Sequence, residues 1–146
     1  MGLMAPTGET IMEDIFDGLQ TPERVAMLES AEQKSFSDGQ TIVAENTRNS
    51  DIFAILEGEV RVMVGSGDAA TEVARLSEGA IFGEMSFLTH AMASASIIAD
   101  GKVELLCVSH HNIKAMVDND PGFSGRFYRS LACTLAERLH RANQRR

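Results

Sequence analysis

The stretch "IFGEMSFLTHAMASASIIADG", residues 81–101, holds the residues best spaced for chemistry. Gly83 follows the apolar pair Ile81-Phe82 and frees the backbone to turn sharply. If the next residues make one helical turn, the amide N–H groups of Glu84, Met85 and Ser86 point outward together. That arrangement is electropositive and suits a phosphate-sized anion. Glu84 cannot hold such an anion, but its carboxylate can accept from ligand hydroxyls, such as those of a ribose. The same residues also fit a tight β-bulge or a turn with an N-capping glutamate. An anion site calls for a cation, and residues 81–101 include neither arginine nor lysine up to Gly101.

Cations elsewhere that could serve are Arg48, Arg61, Arg75 and His90. His90 lies in the loop but carries charge only at mildly acidic pH. Arg75 would need an inward strand position, which it shares in parity with Val73. Each also reads as an ordinary solvated charge. The tail "ERLHRANQRR" adds Arg138, Arg141, Arg145 and Arg146, which could touch nucleic acid or an acidic partner. Its plainer reading is a solvated helix end whose cations suit the C-terminal dipole.

Other chemistries find less support. His110-His111 has no third ligand at metal spacing, so no zinc or iron site is expected and the pair reads as a helix start in solvent. No Gly-x-Ser-x-Gly nucleophile setting occurs, so no catalytic residue is assigned and the chain is not expected to be an enzyme. A net charge of −8 argues against direct DNA binding, which needs clustered basic residues. Cys107 and Cys133 sit in apolar patterns without CxxC spacing and read as free thiols of a reducing compartment. No leader-like or membrane-spanning apolar run is present, and a cytoplasmic location without membrane contact is expected.

The elements that must position the 81–101 stretch follow from periodicity. At 146 residues the chain is long enough for one domain with its own core. "ETIMEDIFDGL" spaces Ile11, Met12, Ile15, Phe16 and Leu19 as an amphipathic helix. "TPERVAMLESA" reads as a second helix, with Thr21 as N-cap and Pro22 as its first residue. From Ser35 the period becomes two: "QTIVAE", "DIFAILEG", "EVRVMVG", "TEVARL", "SASIIA" and "KVELLCV" read as short strands. Gly58 marks a bend or hairpin, "GSGD" at 65–68 a hairpin tip, and Asp100-Gly101 a hairpin turn. That many edges call for a sandwich, barrel or jelly roll. After Val108 a short helix runs to Pro121, and a long one follows to Arg146. The long helix carries Phe123, Phe127 and Leu131 on one stripe. Tyr128, Ala132, Leu135, Leu139 and Ala142 form a second, heptad-like seam.

The stretch 82–99 resembles the phosphate-binding cassette of the cyclic nucleotide-binding domain family, the sensor domains of catabolite-activator and protein kinase A regulatory-subunit type. The family pattern there is Phe-Gly-Glu, an apolar and a small residue, a variable loop, then arginine, small residues and an apolar strand. The likeness extends over roughly residues 13–142, through "IFDGL", the first strands with Gly58, and the two final helices. It implies a mainly β fold, an eight-stranded jelly-roll β-barrel (double-stranded β-helix) with N-terminal helices and two C-terminal helices. The divisions expected are 1–34 for the N-terminal helices, 35–109 for the jelly roll with its cassette at 82–96, and 110–146 for the C-terminal helices.

By the same resemblance, the ligand-binding positions are Phe82, Gly83, Glu84, Met85, Ser86, Ala93, Ser94, Ala95 and Ser96. Gly83 and Glu84 fall on the phosphate and ribose 2′-hydroxyl contacts, and Met85 and Ser86 supply amides. Ala93 stands where the family has its arginine, and Met92 where a proline is common. A charge-assisted bond of about 1.5–3 kcal/mol is thereby lost, or about 10- to 150-fold in affinity. The resemblance therefore implies a regulatory sensor that binds cyclic AMP, cyclic GMP or a related phosphate ligand weakly. It is expected to pair as a homodimer through the C-terminal helix and to act on an effector protein that the sequence does not identify. The alternative is a dimerisation scaffold that binds nothing, its pocket plugged by its own side chains; Ala93, Met85 and Met92 favour it, while Ser86, Ser94 and Ser96 favour a polar ligand.

Overall fold

The computed structural model describes residues 18–144. The expected helix around Ile11–Phe16 and the arginines Arg145 and Arg146 lie outside the described residues, as does the side chain of Ala142. The element order is α1 (Thr21–Ser30), β1 (Glu32–Phe36), β2 (Thr41–Val43), β3 (Ile52–Val64), β4 (Thr71–Leu76), β5 (Ile81–Phe82), α2 (Glu84–Thr89), β6 (Ser96–Val108), α3 (His110–Asn119) and α4 (Pro121–Gln144). The fold is mainly β, antiparallel, with helices before, within and after the sheet.

The sheet is organised around one long ribbon. β3 and β6, each 13 residues, pair antiparallel from Ile52↔Val108 to Met63↔Ser96. One end of this ribbon is flanked by β5 on β3 and β1 on β6, the other by β4 on β3 and β2 on β6. Among the described residues there are thus six strands in an open path, not the eight of the expected jelly-roll barrel. The difference has a physical origin. "DIFAILEG" and "EVRVMVG" are one strand, because Gly58 absorbs a register shift at φ 97° without ending the pairing. A Cβ at Gly58 would lie 2.4 Å from the Lys102 carbonyl oxygen, so only glycine lets the strands approach there.

Asp100-Gly101 is likewise no hairpin. Gly101 does take a positive φ of 77°, but within β6, where Asp100 still pairs with Glu59. "SASIIA" and "KVELLCV" therefore merge into one bent strand. The Gly65-Ser66 tip does connect two strands, closing with a short 3-10 turn at Gly67–Ala69.

The ribbon end at 52–55 and 105–108 is buried on both faces, which explains its unbroken apolar runs. Ile52, Ala54, Leu106 and Val108 face the helices, where they meet Met27, Ile113, Phe123, Phe127 and Leu131. Phe53, Ile55, Leu105 and Cys107 face the sheet interior with Val43, Val60 and Ile97. Phe123, Phe127 and Leu131 recur every four residues along α4 and are fully buried, each contributing about 1.5–3 kcal/mol. α1 starts one residue earlier than its sequence suggests: Gln20 is the N-cap, and its amide donates to Glu23 at 2.8 Å. Glu23 also accepts from Arg126 at 2.9 and 2.6 Å, which ties α1 to α4 and holds the Glu23 carboxyl below its ordinary range. Ser109 caps α3 by accepting from the Asn112 amide, and Pro121 opens α4.

Candidate functional site

β5 delivers Phe82 to the sheet interior, stacked 4.9 Å from Phe53, and the chain then reverses at Gly83. Gly83 is required twice over. Its φ is 90°, and a Cβ there would sit 2.4 Å from the Asp51 carbonyl oxygen. The turn launches α2, whose first amides have no carbonyl inside the helix to bond; the Phe87 amide is the first to find one, Gly83 O at 3.2 Å. The single helical turn expected at Glu84, Met85 and Ser86 is therefore present, and the bulge alternative is not. Phe87 anchors α2 between Phe127 and His110, at ring distances of 5.7 and 5.3 Å. His90 ends it in a left-handed conformation.

Residues 91–95 lead from α2 to β6, largely exposed apart from the buried Ala93. Ala93 is pinned by its backbone, accepting from the Asn46 amide and donating to the Thr47 carbonyl. Phe82, Gly83, Glu84, Met85, Ser86, Ala93, Ser94 and Ala95 then line one cavity of about 150 Å³. Ser96 does not line it; its hydroxyl accepts from the Glu45 amide and helps hold β2 to β6. Met85 borders the cavity but is 55% exposed, and Met92 lies in solvent, so neither fills it.

Glu84 is the chemical centre of this cavity. It is 2% exposed, and its two carboxylate oxygens differ sharply. Oε1 accepts from Arg138 Nη1 at 2.6 Å, while Oε2 is buried with no hydrogen-bond partner. A second Arg138 nitrogen donates to the Ile81 carbonyl at 2.7 Å. The ion pair offsets part of the cost of burying Glu84. Oε2 is left without a donor of the protein's own, an acceptor that a ligand hydroxyl can satisfy.

None of the four cations considered from sequence lines the cavity. Arg75 is engaged on the outer surface by Glu72, Asp100 and Glu59, bridging β4, β3 and β6, and its guanidinium is held firmly protonated by those bonds. Arg61, Arg48 and His90 are likewise absent from the lining. The cavity's cation is Arg138, a residue that reads in sequence as part of a solvated tail. Its signal was its place on the stripe: Phe123, Phe127 and Leu131 recur every four residues and Arg138 lies seven further on, about two helical turns, so Arg138 continues the core-facing side of α4. Asn49 was also missed; it lines the cavity and donates to Asp51 O at 3.0 Å beside Gly83.

A larger groove of about 660 Å³ lies between β4 and α4, sharing Leu76 and Arg138 with the first cavity. Among the described residues no cluster of potential metal ligands occurs, and no helix is long and apolar enough to cross a membrane. Cys107 is buried beside Asp51, and burial together with that carboxylate pushes its thiol up to about 11.

The model of the cyclic nucleotide-binding domain matches residues 33–120. A cAMP-dependent protein kinase type II regulatory subunit from Drosophila melanogaster is 33% identical over 85 residues, which are 58% of this chain and 22% of that protein. The chain thus spans about a fifth of that relative's length. A cyclic nucleotide-binding domain from Methylobacillus flagellatus has the same fold, with a TM-score of 0.80 at 20% identity over 94% of this chain and 83% of that one. The regulatory domain of Toxoplasma gondii PKA, crystallised with cAMP, gives a TM-score of 0.74 at 22% identity over 89% and 49%.

Proposed function

Because the chain belongs to the cyclic nucleotide-binding domain family, we propose that its cavity binds a cyclic nucleotide, cyclic AMP or cyclic GMP, as a regulatory input and with modest affinity. The observation that carries this reading is the buried, unpartnered Oε2 of Glu84, a residue that lines the cavity. A ribose hydroxyl supplies the donor it lacks. The phosphate then lies against the first amides of α2, with the Ser86 and Ser94 side chains alongside. Ala93 leaves out the arginine found at this position in the family, and affinity falls accordingly.

One observation favours the scaffold alternative. A volume of about 150 Å³ is below the roughly 300 Å³ where small-molecule pockets usually begin, enough for a sugar-phosphate but not a whole nucleotide. Under the binding reading the base extends past Leu76 into the neighbouring groove. The exposed seam on α4, with Tyr128 and Leu139 open to solvent, supports pairing of two copies, and the output passes through α4 to an effector.

A thermal-shift series with cyclic AMP, cyclic GMP and cyclic dinucleotides tests the reading. Ligand at about 100 times Kd adds about 2.7 kcal/mol, or roughly 5–10 °C for a domain of this size. No shift with any of them, at millimolar ligand, supports the scaffold.

A further inference from the structure

Arg138 is the one cation that lines the cavity among the described residues, and it arrives from a helix rather than from the loop. Its two bonds, to Glu84 Oε1 and to the Ile81 carbonyl, fix the guanidinium plane at the cavity wall. A guanidinium has five N–H donors, so others remain available to a third acceptor. Ala93, at 7% exposure, borders the same cavity and leaves its side free of bulk. We propose that Arg138 takes over the role of the absent loop arginine: it is the ligand-facing cation that pairs with the phosphate, held in position by Glu84. This inference rests on the cyclic-nucleotide reading given above.

The placement has a second consequence. Deep burial along α4 ends at Leu131; beyond it, Thr134, Leu135 and Arg138 are only partly covered, and Ala132, Cys133, Leu139 and His140 are exposed. The Arg138 bonds to Glu84 and Ile81 therefore tie the last turns of α4 to the β domain. A phosphate shared with Arg138 adds to that tie, so occupancy of the cavity and seating of the end of α4 reinforce each other.

The test compares cyclic AMP with adenosine, which keeps the ribose but lacks the phosphate. Calorimetry is run on wild type, Arg138→Gln, Arg138→Lys and Ala93→Arg, with the fold checked by circular dichroism. Wild type is expected to bind cyclic AMP despite Ala93. Arg138→Gln weakens both ligands through the loss of Glu84's partner, but lowers cyclic AMP affinity about 10-fold or more beyond its effect on adenosine. Arg138→Lys, which keeps the charge but not the planar fork, falls between and serves if the glutamine variant does not fold. Amide exchange in residues 134–141 slows when cyclic AMP is added to wild type. Equal losses for both ligands mean a purely structural Arg138 and overturn the inference while the nucleotide reading stands. Binding by Ala93→Arg but not by wild type overturns it as well, again sparing that reading. Failure of all four proteins to bind either ligand overturns both.

Discussion

Restoring the family's arginine at position 93 perturbs the site in a way whose size can be worked out. Ala93 is buried, borders the cavity with its side chain, and has its backbone pinned on both sides by Asn46 and Thr47. An Ala93→Arg side chain therefore starts from a fixed point at the cavity wall. An arginine–phosphate bond in a partly desolvated site is worth about 1.5–3 kcal/mol. Two features of this cavity reduce the gain. Arg138 already places a like charge at the wall, and the open Glu84 Oε2 competes for the new guanidinium in the empty protein. The net expectation is a rise of about 10-fold in cyclic AMP affinity, at the low end of that range. Filling a small cavity with a long side chain also costs the unliganded protein about 1–3 kcal/mol. Titration calorimetry on wild type, Ala93→Arg and Ala93→Arg/Glu84→Ala gives the affinities, and the double variant should lose most of the gain. A folded Ala93→Arg protein that shows no heat with any cyclic nucleotide would falsify the cavity as a nucleotide site.

Three further expectations concern the frame around the site. Gly83→Ala combines a left-handed backbone with a Cβ only 2.4 Å from Asp51 O, so it should destabilise by about 2 kcal/mol or more in urea; an unchanged midpoint contradicts the turn geometry. Cys133 is exposed, whereas the Cys107 thiol is buried and pushed up to about 11, so a thiol reagent at pH 8 should modify one cysteine quickly in the native protein and the second only on unfolding. Rapid labelling of both refutes that placement. Leu139→Asp puts a charge on the exposed α4 seam at a residue 64% open in the protomer, so it should give a folded monomer by light scattering; a wild type already monomeric at high concentration removes the seam from the account.

Much of this architecture was legible from spacing alone. The stripe of Phe123, Phe127 and Leu131 reads directly as the buried face of α4, and the step from Phe82 through Gly83 into a helical turn holds in detail. The strand count was not legible. A glycine at a bulge and a glycine in a hairpin produce the same local pattern, an alternating run, a positive-φ position and another run. Only the pairing partner across the ribbon separates them, and that partner lies 40 or so residues away in sequence. The cavity's cation was hidden for a related reason. Arg138 reaches Glu84 across 54 positions, and its immediate neighbours Glu137 and Leu139 are both exposed. Periodicity places it two turns beyond Leu131 on the inner stripe, but nothing local names the carboxylate it serves. The α1 cap shifted by one residue because Gln20 offers its backbone amide, not its side chain, to the first-turn glutamate.

In the nucleotide reading proposed above, Glu84 Oε2 accepts from a ligand hydroxyl. The most direct measurement is the affinity of the wild-type chain for cyclic AMP against 2′-deoxy cyclic AMP, repeated with Glu84→Ala. A site whose buried acceptor is left unpaired rejects the analogue lacking the donor. The deoxy ligand should therefore bind wild type about 10-fold or more weakly, and the two ligands should bind Glu84→Ala alike. Equal affinities for the two ligands on wild type contradict the account.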